Sequence, residues 1–339
     1  MSNALVTKKR ASIARGVRGA RMPDLRPLDF YAELPVPLRL PFADAVEKTA
    51  RTHDLRCHVQ RGAQWPAMPL GASAPLSFAT ALDAGHAGSF LESAFEESAC
   101  RRAGDYHPAF TSAGLADPAG VVHVLAAIPY VIVADERKLG ARPAPAGWAD
   151  LLDPAYRGEI LIGGMREPDG SSFAELNRYV LGCFSSDFGD AATARLAGNV
   201  RGVRHHLEIV HDMRSRSAGA LAILPWMQAE MCVRSGLSVI WPEEGAYALP
   251  IVFAMRSGAR ERLAPILRLL DGGDLGAMLN RNCYPPALRG HSAQLPSGAR
   301  LRWPGWPAAR SGALLRSMSR ASQVFEDHWS PIRETCVCA

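Results

Sequence analysis

The chain has 339 residues, of which 48% are hydrophobic and 21% charged; this exceeds one ordinary domain and excludes a disordered or fibrous composition. Its net charge of +5 resides at the start, where Lys8, Lys9, Arg10, Arg15, Arg18, Arg21 and Arg26 against Asp24 give residues 1–26 a net +6 and leave the body at −1. A near-neutral body has no surface that would track phosphates, which argues against nucleic acid as its partner.

Residues 1–27 read as a disordered basic tail. A secretory leader needs an apolar core of about 7–15 residues. The longest early apolar run is Ala4-Leu5-Val6. The chain as written is therefore expected in the cytoplasm, or in the periplasm if its start is misplaced. Residues 29–34 read as the first strand, broken by Pro35 and Pro37, and a helix is expected from Phe42. Residues 57–60 read as the second strand. The small-residue loop Ala84–Ser89 leads into a helical pattern carried by Phe90, Leu91, Ala94 and Phe95.

Residues 121–134 are apolar and read as a strand pair. They are too short for the roughly 20 residues of a membrane span, and Pro129 interrupts them, so no membrane-spanning segment is expected. After Pro143 and Pro145 comes a short helical pattern, WADLL, stopped at Asp153-Pro154, then an apolar strand ending at Gly163-Gly164. Ser172, with Glu175 three residues on, forms a capping-box pattern and predicts a helix over 170–182. Further strands are expected at 219–224, 239–241 and 249–255. Helices are expected at 261–281, weakened at Gly272-Gly273, and at about 312–328. The alternation of strands and helices predicts a three-layer α/β architecture.

Seven cysteines are an odd number. Cys57, Cys100, Cys183, Cys232 and Cys283 are scattered singly and read as reduced core residues. Cys336-Val337-Cys338 falls within residues 331–339, which read as a flexible C-terminus. His205, His206 and His211 have poor spacing for one metal and read as a polar segment. No G-x-S-x-G, G-x-x-x-x-G-K, G-x-G-x-x-G after a strand, or H-E-x-x-H occurs, so no catalytic residue, metal or cofactor is nominated.

The block PAPAGWADLLDPAYRGEILIGG (143–164) resembles the middle of the extracellular solute-binding proteins of ABC importers, the type II periplasmic-binding-protein family. GLADP (114–118), ALAILP (220–225), WPEEGA (241–246) and YPP (284–286) follow in the same order as in that family. The resemblance implies a two-lobed α/β fold with a mixed sheet in each lobe and an interlobe cleft. Lobe one would be residues 28–128 plus 245–330, and lobe two 129–244. It implies a monomeric binder of a small polar or anionic ligand, working with an ABC permease by hinge closure and performing no chemistry. A cytoplasmic enzyme or ligand sensor on the same fold is the alternative. Ferric-binding members use adjacent tyrosines, and no Tyr-Tyr pair exists here.

In such a fold, ligand contacts come from strand carboxyl ends and helix amino ends. Gly170, Ser171 and Ser172 are the expected anion seat. Gly88 and Ser89 occupy the matching loop of lobe one, and Pro35 follows the first strand. Tyr130 lies at the expected crossover, Trp226 follows a buried strand, and Glu244 and Tyr247 flank the return.

Overall fold

The computed structural model describes residues 28–61, 75–82, 103–166, 173–174, 177–215, 219–233 and 237–330. Strand β1 (Phe30–Glu33) leads directly into helix α1 (Val36–His53). The helix therefore starts six residues before Phe42. Pro37 is accommodated in the first turn, where a missing N–H costs nothing, and only Pro41 removes an internal bond. Strands β2 (Cys57–Val59) and β3 (Ser77–Ala81) pair with β1 in parallel. The short helix α2 (Pro108–Ser112) precedes β4 (His123–Ala134), a single buried 12-residue strand where the sequence suggested two. Helix α3 (Glu136–Leu139) follows, then two 3-10 turns at Ala149–Leu152 and Pro154–Tyr156, and β5 (Ile160–Gly163).

The helix expected over 170–182 begins later. Strand β6 (Met165–Arg166) pairs antiparallel with β7 (Phe173–Ala174), so this backbone is extended where a first helical turn was expected. Helix α4 (Arg178–Phe188) is capped by Asn177, whose Oδ1 accepts from Val180 N at 3.4 Å, and not by Ser172. Next come α5 (Asp190–Asn199), β8 (Val200–Arg204), α6 (His206–Asp212), β9 (Leu221–Pro225), α7 (Trp226–Val233), β10 (Ser238–Ile240) and β11 (Ala246–Met255). The chain closes through α8 (Arg260–Asp271), α9 (Gly273–Arg281), β12 (Leu301–Arg302), α10 (Trp306–Arg310) and α11 (Ala313–His328). Gly272 separates α8 from α9, where the sequence is soft.

The main sheet is mixed, with order β2-β1-β3-β11-β4-β9-β5-β8, while β10 joins β4 and β12 joins β11. Strand β4 changes partners along its length. Its first part, His123 to Tyr130, pairs with β11; its second, Tyr130 to Ala134, pairs with β9, and β10 takes over the flank that β11 leaves. Pro129 cannot donate to a ladder, and it sits just before β9 joins.

Direction follows from register. Because β3 and β4 are both antiparallel to β11, β4 runs parallel to β1, β2 and β3 and continues past their carboxyl ends. Strand β9 is antiparallel to β4, and β5 and β8 run parallel to β9, so their carboxyl ends point back. Two sets of strand carboxyl ends therefore face each other across Tyr130. Ala81 lies level with Ala126 through Ile251, and Pro225 lies level with Tyr130. Four residues of strand separate those levels, roughly 13 Å. Helices α4 and α5 pack with α11, while Ile209, Val210, Ala229 and Cys232 of α6 and α7 cover the other face of the second strand set.

Candidate functional site

The facing strand ends gather residues far apart in sequence. On one side, Pro35 ends the β1 connection and caps α1 through its backbone, with Leu38 N donating to Pro35 O at 2.9 Å. Gln60 follows β2. On the other side, β5 ends at Gly163-Gly164, β8 leads into His205-His206, and β9 leads into Trp226.

Four side-chain atoms at these ends are buried and make no hydrogen bond: Gln60 Oε1, Asn177 Nδ2, His206 Nε2 and Gln228 Oε1. Gln60 is 3% exposed and Asn177 6%. Asn177 is tied to the end of β5 by its own N–H, which donates to Gly163 O at 2.9 Å. His206 lies against the same glycine, and a Cβ at Gly163 would come within 2.0 Å of its Nε2. Burial, then the neighbouring His205, lowers the His206 pKa to about 4, so its imidazole is neutral at pH 7. A buried polar atom without a partner costs about 1–3 kcal/mol. The four atoms lie near the ends of β2, β5, β8 and β9, spread from one edge of the sheet to the other.

His205 serves structure. Its Nδ1 accepts from Leu207 N at 3.3 Å, and its own N–H donates to Glu208 Oε2 at 3.2 Å, completing a capping box. Among the described residues, no group of three or more His, Cys, Asp or Glu is arranged to hold a metal ion. Cys57, Cys183, Cys232 and Cys283 are free thiols, and burial raises all four pKa values, that of Cys57 to about 12.

Of the residues nominated from sequence, Pro35, Tyr130 and Trp226 lie at the facing ends or the crossover between them. Tyr130 pairs with both Tyr247 and Pro225, and its ring tilts against Tyr179 at 6.3 Å. Trp226 donates from Nε1 to Glu230 Oε1 at 2.7 Å and meets Trp241 edge-on at 5.4 Å. Gly88, Ser89, Gly170, Ser171 and Ser172 lie outside the described residues.

Glu244 and Tyr247 are engaged within the fold. Both Glu244 carboxylate oxygens accept backbone bonds, from Trp148 N at 3.0 Å and Ala149 N at 3.2 Å. Tyr247 stacks on Trp148 with centroids 4.5 Å apart and donates to Asp187 Oδ2 at 2.8 Å. Arg302 Nε reaches the same oxygen at 2.6 Å, and its Nη2 reaches Asp187 Oδ1. Burial and the Asp187 charge raise the Tyr247 pKa, and the hydrogen bond to Asp187 raises that of Arg302. A cavity of about 510 Å³ adjoins this cluster, lined by Cys183, Asp187, Tyr247, Arg302 and Trp303.

Sequence reading missed Gln60, Asn177, His206 and Gln228. Asn177 carried a signal, as an N-cap residue directly before the apolar pattern of Tyr179, Val180 and Leu181. His206 was absorbed into a segment read as polar and solvated.

Residues 81–311 match the family model of the bacterial extracellular solute-binding proteins. The chain belongs to that family. Its members are the solute-binding components of ABC importers, binding proteins and not enzymes. The fold is that of the two-lobed type II periplasmic binding proteins. A ferric iron-binding protein A from Mannheimia haemolytica, in an open conformation, is similar over 89% of this chain and 99% of its own, with TM-score 0.63 and 11% identity. A Bordetella ferric binding protein is similar over 89% and 98%, with TM-score 0.62 and 13% identity. AfuA from Actinobacillus pleuropneumoniae, bound to fructose-6-phosphate, is similar over 88% and 98%, with TM-score 0.59 and 12% identity. No curated protein matches. The family is extracellular by description, which does not support the cytoplasmic placement expected from the first residues. Among the described residues, no helix is long and apolar enough to cross a membrane.

Proposed function

We propose that this chain binds a small solute between its two sets of strand ends and delivers it, without chemical change, to the permease of an ABC importer. One lobe would comprise residues 28–128 and 245–312. The other would comprise 129–244, with 313–330 added because α11 packs on α4 and α5. The observation that supports this most is the match of residues 81–311 to the solute-binding family, together with the two sets of strand carboxyl ends that face each other across Tyr130. Closure would turn on β4 at Tyr130 and on the return through Trp241–Ala246. Contacts made to both lobes at once would favour the closed form over the open one. The extracellular description of the family supports work in the periplasm.

Native mass spectrometry of the full chain, purified without denaturation, tests the reading. A small molecule that travels with the protein and leaves on unfolding is the expected result. A bare protein that no compound of a broad solute panel stabilises against heat would overturn it.

A further inference from the structure

Given the two lobes of the solute-binding reading, on which this inference rests, Asp187 and Arg302 stand on opposite sides of the division. Arg302 begins a segment anchored on the first lobe. The Trp303 indole donates to Gly114 O at 3.1 Å, the Trp306 indole donates to Leu115 O at 2.9 Å, and Arg310 pairs with Asp117 at 2.5 Å. Asp117 in turn accepts from Val121 N and Val122 N, just before β4. Asp187 is in the last turn of α4, which is anchored on the second lobe. Ser186 and Ser317 hydrogen-bond each other at 3.0 Å, Ser317 Oγ donates to Gly182 O at 3.0 Å, and Arg320 of α11 reaches Asp190 of α5 at 2.5 Å.

Among ion pairs between described residues, Asp187–Arg302 alone joins the two lobes. Asp29–Arg262 and Asp117–Arg310 stay within the first, and Glu159–Arg142 and Asp190–Arg320 within the second, as do the rest in one or the other. The pair is bidentate, through Nε and Nη2 of one guanidinium, which fixes the orientation of both side chains as a single bond would not. Tyr179 also ties α4 to β11, by an uncharged bond to Ala248 O at 2.7 Å. Salt separates the two links, because the Arg302 side chain is 43% exposed and its charge is open to screening. The cavity of about 510 Å³ beside the pair has walls from both lobes, Ser112 and Trp303 from the first and Cys183 and Ser186 from the second. The lobes are therefore not packed together there, and turning one against the other would change that space.

We propose that Asp187 and Arg302, with Tyr247 bonded to the same carboxylate, form a latch between the two lobes that holds the solute-free chain in the arrangement described here.

The test reads the distance between the lobes in the full chain, by electron-spin resonance on nitroxides carried by non-thiol side chains at Lys48 of α1 and Arg195 of α5, both exposed. Expected for the unaltered, solute-free chain is one narrow distance peak at low salt. Raising salt from about 0.01 to about 1 M shortens the screening length from about 30 to 3 Å and should widen that distribution. Asp187→Asn, which keeps an oxygen for Tyr247, and Arg302→Gln should each widen it at low salt and remove its response to added salt. In each, the ratio of molecules inside the narrow peak to those outside should fall by about fivefold or more. The double variant should do no more than either single one. Arg320→Gln breaks an ion pair within one lobe and should leave the distance unchanged. The salt titration needs no variant, so it stands even where a variant does not fold. A distribution that neither salt nor the two variants alter would overturn the latch. Widening by salt and by both variants, in a chain that retains no small molecule and whose lobe distance no compound of a broad solute panel changes, would overturn the solute-binding reading and leave the latch standing.

Discussion

The return from β10 to β11 and the facing strand ends treat polar groups in opposite ways. At the return from β10 to β11, each strong polar group named above is matched. Glu244 holds two backbone N–H groups, the Trp148 indole donates to Gly245 O at 2.9 Å, and Asp187 gathers Tyr247 and Arg302. At the facing strand ends, Gln60, Asn177, His206 and Gln228 keep buried atoms with no bond. A satisfied network fixes geometry, whereas unsatisfied atoms lower stability and have a use only when something else arrives. On the proposed function, the return holds the hinge and the strand ends lie toward the solute.

The largest effect that could break this contrast is at Asp187. Asp187→Ala should lower stability by about 2–4 kcal/mol in denaturant melts, because Tyr247 is left buried without its acceptor and Arg302 loses its partner. A loss under half of that would show that the return is not where the hinge is held.

Acid should expose the strand ends next. The folded chain holds His206 neutral down to about 4, against an ordinary value of 6.5, so between these values the unfolded chain binds more protons. Stability should therefore fall as pH drops from about 7 to 4, by about 3 kcal/mol from this residue. His206→Phe should remove that part of the pH dependence. An identical slope in the variant would mean that His206 is not buried as described.

Smaller effects sharpen the division. Glu244→Gln should cost about 1–2 kcal/mol, since an amide nitrogen would then face a backbone N–H. It should leave solute retention unchanged. Asn177→Ala should cost about 1 kcal/mol more stability than Asn177→Ser, the difference being the lost cap of α4. Equal melts for the two would remove the structural half of the role given to Asn177.

Legibility in the sequence tracked locality. The PAPAGWADLLDPAY block was readable because its bonds are short-range. Asp150 Oδ2 accepts from Ala146 N at 2.7 Å and Gly147 N at 3.0 Å, and Asp153 Oδ1 from Ala155 N at 2.8 Å. Its likeness to WPEEGA has a physical basis as well, since a Cβ at Gly147 would come within 2.2 Å of Glu244 Oε2. Helix α1 starts before the residue the sequence predicts because a proline breaks a helix everywhere except in its first turn. Helix α4 starts after the residue the capping pattern predicts because Phe173–Ala174 pair as a strand with Met165–Arg166. The unsatisfied atoms could not be seen at all. Gln60 and His206 are 146 residues apart, after the two edge strands of the sheet, and only the antiparallel pairing of β9 with β4 points the ends of those strands in opposite directions.

The most direct test of the division is solute retention, read by native mass spectrometry on three full-length proteins prepared alike. The unaltered chain and Glu244→Gln should each carry the same small molecule, and Asn177→Ser should be bare while melting cooperatively. Retention by Asn177→Ser together with loss from Glu244→Gln would contradict the account and place the solute at the return.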